Sequence, residues 1–241
     1  MTESSDRSYS FWRELIDDPR HGPLPALLMI ITATTGIVDA VSILSLGRVF
    51  VANMTGNVVF VGFALAGAKG FSLAASLFAL GGFFLGALGG GRVIRRLRPN
   101  RALLLRDAVG AEFALLVIAL IIAAVVGTPI PARDADAIAA ASAIALGFQN
   151  SVVRRLAVPD LTTTVLTMTL TGIAADARTG NPAVVGRRVL AVLSMLAGAV
   201  LGALLVLRVN AASALGLAVT LLGVALVAIT VASMAPADWQ R

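Results

Sequence analysis

Gly36-Ile-Val-Asp-Ala-Val-Ser-Ile-Leu-Ser-Leu-Gly-Arg-Val-Phe-Val-Ala-Asn-Met-Thr-Gly-Asn57 sets one acid, Asp39, inside an apolar run and ends on a compact polar knot of Asn53, Thr55, Gly56 and Asn57. Two physical costs decide how to read it. An ionised carboxylate at the centre of a membrane span costs about 2.5–3.5 kcal/mol even on a lenient insertion scale. A broken polar segment at membrane depth survives only where protein or a water-filled cavity covers it. Both point to an internal polar site inside a helical membrane protein.

Composition agrees. The 241 residues are 58% hydrophobic and 13% charged, with a mean hydropathy of +0.92, whereas soluble domains carry about a quarter charged residues. The apolar residues lie in runs of about 20, the length that crosses about 30 Å of hydrocarbon. Short alternating segments, the mark of a transmembrane barrel, are missing. The net charge of +6 comes from arginines beside the apolar runs, where topology explains them without a nucleic-acid partner. The lack of cysteine excludes disulfides and thiolate metal sites, and the single histidine, His21, excludes a histidine-rich metal cage. There is no nucleotide-binding loop, no HExxH and no nucleophile–base pair, so neither a cofactor nor an enzymatic role is expected.

Residues 1–24 read as a cytoplasmic tail rather than a secretory signal. Phe11, Trp12, Leu15 and Ile16 share one helical face there, which predicts a short interfacial helix. Spans are predicted at about 25–46, 71–93, 103–126, 137–153, 189–209 and 211–235. Residues 127–136 form a turn-rich linker between a first repeat (25–126) and a second (137–235), and 236–241 form a C-terminal tail. Gly82, Gly86 and Gly90, and later Gly198 and Gly202, make small-residue stripes where another helix can approach.

The halves match in register. Thr55 and Thr167, Gly86 and Gly198, and Gly90 and Gly202 share one offset; Gly36 and Gly147, with Asp39 and Asn150, share an offset one residue shorter. An internal duplication is expected. Charge then sets topology. If segments 49–68 and 160–176 both crossed, the 19 Lys and Arg residues would divide almost evenly across the membrane. If neither crosses and the N-terminus is inside, only Arg48, Lys69, Arg133 and Arg208 lie outside. The positive-inside rule selects six spans plus two broken or re-entrant segments, with both termini cytoplasmic. Three spans per half makes the two repeats inverted, as in secondary transporters.

Asp39 reads as a proton carrier or a counter-charge for a cation, or else as a cap on the broken segment. Asn150 is its fixed polar counterpart. The knot Asn53, Thr55, Gly56 and Asn57 lines a cavity or offers a half-helix N-terminus to an anion; the alternative is that it merely satisfies a kinked backbone. Thr163 and Thr167 are expected to face it, although buried threonines also bond back to their own helix. Glu112 is expected to pair with Arg106 at the interface.

The segments GIVDAVSIL (36–44), FVANMTGNVV (50–59), LGFQNSVVRR (146–155) and PDLTTTVLT (159–167) resemble the YoaK-like family of bacterial multi-pass membrane proteins over about residues 26–235. The resemblance implies an integral membrane protein of the bacterial cytoplasmic (inner) membrane and carries no activity. Family members often show Thr-Gly-Thr where this chain has Thr167-Met168-Thr169. On these readings the protein is a small transporter of a solute or ion across the lipid bilayer. The alternative is a non-transporting scaffold, sensor or assembly factor; a homo-oligomer stays open in either case.

The topology is testable because the chain has no native cysteine. Single cysteines placed beside Arg48 and beside Lys69 should react with an impermeant reagent from the same face of the membrane. Labelling from opposite faces would overturn the re-entrant reading of the segment between them.

Overall fold

The computed structural model describes residue 15 and residues 18–97, 100–164, 166–176 and 182–240. Among them the protein is all-α, with eight helices: α1 (Leu24–Ser45), α2 (Met54–Leu65), α3 (Leu73–Leu97), α4 (Arg101–Val126), α5 (Ala132–Leu156), α6 (Thr167–Asp176), α7 (Pro182–Arg208) and α8 (Ala211–Met234). A short 3-10 turn, Asp238–Gln240, follows. The interfacial helix expected over Phe11–Ile16 lies outside the described residues, apart from a buried Leu15.

Six of these helices are long and apolar enough to cross a membrane. The other two are not. With 12 and 10 residues, α2 and α6 reach only about 18 and about 15 Å, well short of the hydrocarbon thickness. Large apolar side chains stand exposed around the outside, among them Phe84, Leu85, Leu196 and Leu207. In water such a surface would be an aggregation hazard; against lipid tails it is the expected one.

Two helix starts lie well ahead of the sequence reading, that of α7, which begins at Pro182 rather than at about 189, and that of α5. Helix α5 starts at Ala132, not Ala137, so the connection from α4 is only 127–131. Arg133, Asp134 and Asp136 are polar because they extend the helix beyond the apolar layer, not because the chain turns there. Asp134 in the first turn also suits the helix dipole.

Helix α1 packs mainly on α7, and α3 mainly on α5, so each half gives its first helix to the third helix of the other. Glycine makes both contacts. A Cβ on Gly86 would collide with the carbonyl oxygen of Ile144, and one on Gly147 with that of Phe83. In the other pair, Gly198 faces the carbonyl of Ala33 and Gly36 that of Met195. The stripes continue: Gly82 would meet the Ala140 oxygen at 2.8 Å, Gly90 the Phe148 oxygen at 2.8 Å, and Gly202 the Ile37 oxygen at 2.9 Å. The contacts of Gly86, Gly90 and Gly147 have their counterparts in those of Gly198, Gly202 and Gly36 at the offsets read from the sequence, while the counterpart of Gly82 is Ser194, whose hydroxyl reaches Met29 Sδ at 3.7 Å.

Other local features recur too. Asn100 caps α4 by accepting from Leu103 N–H at 2.9 Å, and Asn210 caps α8 by accepting from Ser213 N–H at 2.8 Å. Arg48 and Asp160, at the exits of α1 and α5, both take a left-handed backbone, with φ 59° and 67°. Helices α4 and α8 lean on each other where Phe113 meets Gly223.

One end of the bundle is tied by Arg101. Its guanidinium donates to the carbonyls of Arg20 (3.1 Å), Trp239 (3.3 Å) and Leu156 (3.0 Å) and meets His21 Nδ1 at 2.8 Å. Burial, then Arg101 itself, holds the His21 pKa below its ordinary value, which suits a neutral ring accepting at Nδ1. Arg187 reaches Asp18 at 3.5 Å. The segment before α1 and the segment after α8 therefore meet at the same face, beside the start of α4 and the end of α5.

The glycine contacts predict a sharp split. Gly86→Leu and Gly198→Leu force backbones apart and should each destabilise the fold by about 1–3 kcal/mol or more. Gly81→Leu, on the same helix as Gly86 but with nothing within 4 Å of its added Cβ, should be near neutral. Thermal unfolding in detergent reads the difference; equal losses at all three positions would refute the interlock.

Candidate functional site: a polar cavity shared by the two halves

Between Leu46 and Asn53 the chain forms no helix, and its buried backbone groups need other partners. Asp39 supplies two. Its Oδ1 accepts from Val51 N–H at 3.2 Å and Ala52 N–H at 3.3 Å. Asn57 supplies two more through both ends of its amide: Oδ1 accepts from Phe50 N–H at 2.9 Å while Nδ2 donates to Phe50 C=O. That is how a neighbouring β-strand would pair with Phe50, performed by one side chain. Phe50 stacks on Phe60 at 5.7 Å, and Phe60 meets Phe71 at 5.0 Å. Gly56 lies directly under the Phe50 ring, where a Cβ would stand 2.5 Å from Cδ2. The polar knot thus builds a rigid loop ahead of α2.

The segment 160–176 is held differently. Arg188 on α7 binds Asp160 at 2.7 Å and Asp176 at 2.6 Å. It spans α6 from before its start to its last residue, and it lies against Gly172, where a Cβ would be 2.7 Å from the guanidinium carbon. Thr163 has φ 60° and donates its hydroxyl to Thr162 C=O.

A cavity of about 500 Å³ lies between these two loops, lined by residues of both halves, including Asn53, Thr55, Gly56, Asn150, Thr164 and Thr167. Phe50, Phe60 and Phe83 give it apolar walls. The start of α2 and the start of α6 both contribute, through Met54–Gly56 and Leu166–Thr167. The predicted pair Thr55 and Thr167 is brought together here, one from each half.

The predicted site residues therefore divide. Asn53, Thr55, Gly56, Asn150 and Thr167 line the cavity. Asp39, Asn57 and Thr163 do not, and their polar groups bind backbone. Asp39 and Asn150, expected to converge, do not share the cavity wall. Asp39 instead fixes the loop that carries Ala52 and Asn53 into that wall, so it acts as a positioning residue. Thr164, not singled out in the sequence reading, lines the cavity where Thr163 does not; the left-handed φ at Thr163 turns the chain and hands the wall position to its neighbour. At the family's Thr-Gly-Thr position, Met168 is 74% exposed, so it stands outside the wall.

Glu112 departs from expectation. It is fully buried and does not meet Arg106, which pairs with Asp107 at 3.0 Å. The reason is helical phase: Glu112 falls on the stripe of Leu105, Ala108, Leu116 and Ala119 that faces the bundle interior.

A family model described as protein of unknown function (DUF1275) matches residues 27–228. The chain belongs to this family. It is also 33% identical over 152 residues to the UPF0700 transmembrane protein YoaK of Bacillus subtilis (strain 168). That alignment covers 62% of this chain and 65% of the relative, just under two thirds of the relative's length. No solved structure matches the chain. As a DUF1275 member the protein is an integral, multi-pass membrane protein in contact with the lipid bilayer. Both the cavity and its supporting loops fall inside the matched region.

The two loop anchors can be separated from the cavity by mutation. Asp39→Asn keeps the accepting oxygen and should change stability little. Asp39→Ala and Asn57→Ala strand buried backbone groups, and each should cost about 1–3 kcal/mol. Unfolding curves of the three variants check this; a large loss in Asp39→Asn would show that the charge itself, not the accepted hydrogen bonds, matters there.

Proposed function

We propose that the protein is a small secondary transporter, or a channel-like relative, of the bacterial cytoplasmic membrane, with its solute site in the cavity between α2, α5 and α6. One observation carries this reading. The side chains of Asn53, Thr55, Asn150 and Thr167 line the cavity without a hydrogen-bond partner among the described residues, while the neighbouring Asn57 and Thr163 spend theirs on the backbone. Polar groups at membrane depth that are neither paired nor needed by the fold are well suited to a ligand.

The matching contacts of the two halves, with three candidate spans in each, support an inverted repeat about an axis in the membrane plane. In that arrangement α2 and α6 are half-helices entering from opposite sides. Their N-termini carry partial positive charge and unpaired N–H groups. Among the lining residues there is no lysine or arginine, so these dipoles and the amides of Asn53 and Asn150 would receive the solute. A small solute with a carboxylate or another strongly accepting end fits that chemistry, and the phenylalanine walls suit an apolar remainder. The arginine distribution supports cytoplasmic termini. No reacting group lines the cavity, and we assign the protein no enzymatic step.

Purified protein in liposomes, offered a panel of labelled small carboxylates and neutral polar solutes, tests this. Saturable uptake of one member is expected. Thr55→Val, Thr167→Val and Asn150→Leu each remove about one hydrogen bond and should weaken apparent affinity about tenfold. Uptake that these variants leave unchanged would exclude the cavity as the route; binding without flux would favour a sensor.

A further inference from the structure

The interface between α4 and α5 holds three buried polar side chains that the solute cavity does not use. Glu112 on α4, and Ser142 and Gln149 on α5, are each 0% exposed. Both carboxyl oxygens of Glu112, both amide atoms of Gln149 and the Ser142 hydroxyl lack a hydrogen-bond partner. Such groups are expensive to bury bare.

Their positions bring them toward one another. Helices α4 and α5 form an antiparallel hairpin across 127–131 and pack along their lengths. Counting outward from that connection, Glu112 stands level with Leu146, and Ser142 and Gln149 lie within about 5–6 Å of that level along the axis. Ala140 and Gly147 press on α3. Ser142 and Gln149, each two residues further along, point about 200° away from them, off the α3 face. The other principal neighbour of α5 is α4.

The duplication supplies a control. The caps Asn100 and Asn210 make Leu222 the counterpart of Glu112, and Gly36 and Gly147 make Ile31 and Val38 the counterparts of Ser142 and Gln149. Leu222 and Ile31 are 0% exposed and Val38 1%. At these three positions the same interface in the other half, α8 on α1, is therefore apolar. Packing at this position requires no polar group, yet one half has three.

We propose that Glu112, Gln149 and Ser142 form a buried site for a single monovalent cation, either a proton carried on the Glu112 carboxyl or Na⁺ held among its oxygens, Gln149 Oε1 and Ser142 Oγ. All three side chains are shut away from the surface. The stretches beside Glu112 carry no competing charge: α5 has no titratable residue between Asp136 and Arg154, α8 has none at all, and Asp238 of the 3-10 turn lies at the Arg101 end of α4. Arg106 and Asp107 on its own helix pair with each other, and the arginines of α3 lie at its far end. In a transporter this is where a coupling ion would act. The proposal does not rest on the solute cavity, because the two sites share no residue.

The test is thermal unfolding of the purified full chain in two arms: a pH series without sodium, and added NaCl against choline chloride at fixed pH. A ligand that binds the native state stabilises it by mass action. If the ion is a proton, acidification raises the wild-type Tm relative to Glu112→Gln; if it is Na⁺, NaCl but not choline chloride does so. A shift on the order of 5 °C is expected. Glu112→Leu, copied from the other half, should fold and respond to neither. Parallel curves for wild type and both variants in both arms would overturn the proposal. So would failure of both variants to fold, since Glu112 would then be a structural member of the core. The uptake assay with Thr55→Val stands or falls separately.

Discussion

Backbone meets backbone at two places in this protein, and the architecture depends on them. Lipid tails are as apolar as leucine, so helices inside a membrane gain little from hiding apolar surface and associate through close packing instead. Gly86 and Gly147 bring α3 against α5; Gly198 and Gly36 bring α7 against α1. Each contact joins one half to the other, so neither half has its principal interface within itself. The remaining helices fill in around this interlock, with α4 and α8 closing the bundle and apolar side chains left to face lipid.

Between the long helices the chain also breaks twice, ahead of α2 and ahead of α6, and buries part of each loop, including Val49, Val51, Leu161 and Thr163. Each is then secured by its own means: Asp39 and Asn57 for the first, the Arg188 bridges to Asp160 and Asp176 for the second. These anchors are spent on structure. What they leave over, the side chains of Asn53, Thr55, Asn150 and Thr167, lines the cavity. The separation between polar groups that hold and polar groups that offer is the strongest functional signal in the molecule.

The two halves share a frame and differ in what they bury. Where one interface has Ile31, Val38 and Leu222, the other has Ser142, Gln149 and Glu112. The two halves can differ in this way because the glycine contacts between α1 and α7 and between α3 and α5 do not involve these positions.

Much of this was legible in the sequence. Long apolar runs announce spans because only helices satisfy every backbone group in lipid. Paired glycines and the Asp39–Asn150 register announced the repeat, and arginine placement told crossing segments from broken ones. The membership of the knot residues in one region was visible for the same reason: uncharged polar clusters are costly in lipid and stand out. What the sequence could not say is which way each side chain points. Asp39 and Asn57 look like site residues yet bind backbone, because a helix break creates orphan N–H groups whose location only the folded loop reveals. Thr163 and Thr164 are adjacent and chemically identical, and one left-handed φ decides which lines the cavity. Glu112 is one turn and a half from Arg106 in the chain, close enough to suggest an ion pair, but helical phase turns it toward the bundle interior. Composition and spacing determined the spans and the matched register of the two halves; only tertiary packing, which fixes rotation about each helix axis, decided which polar groups support the backbone and which line the cavity.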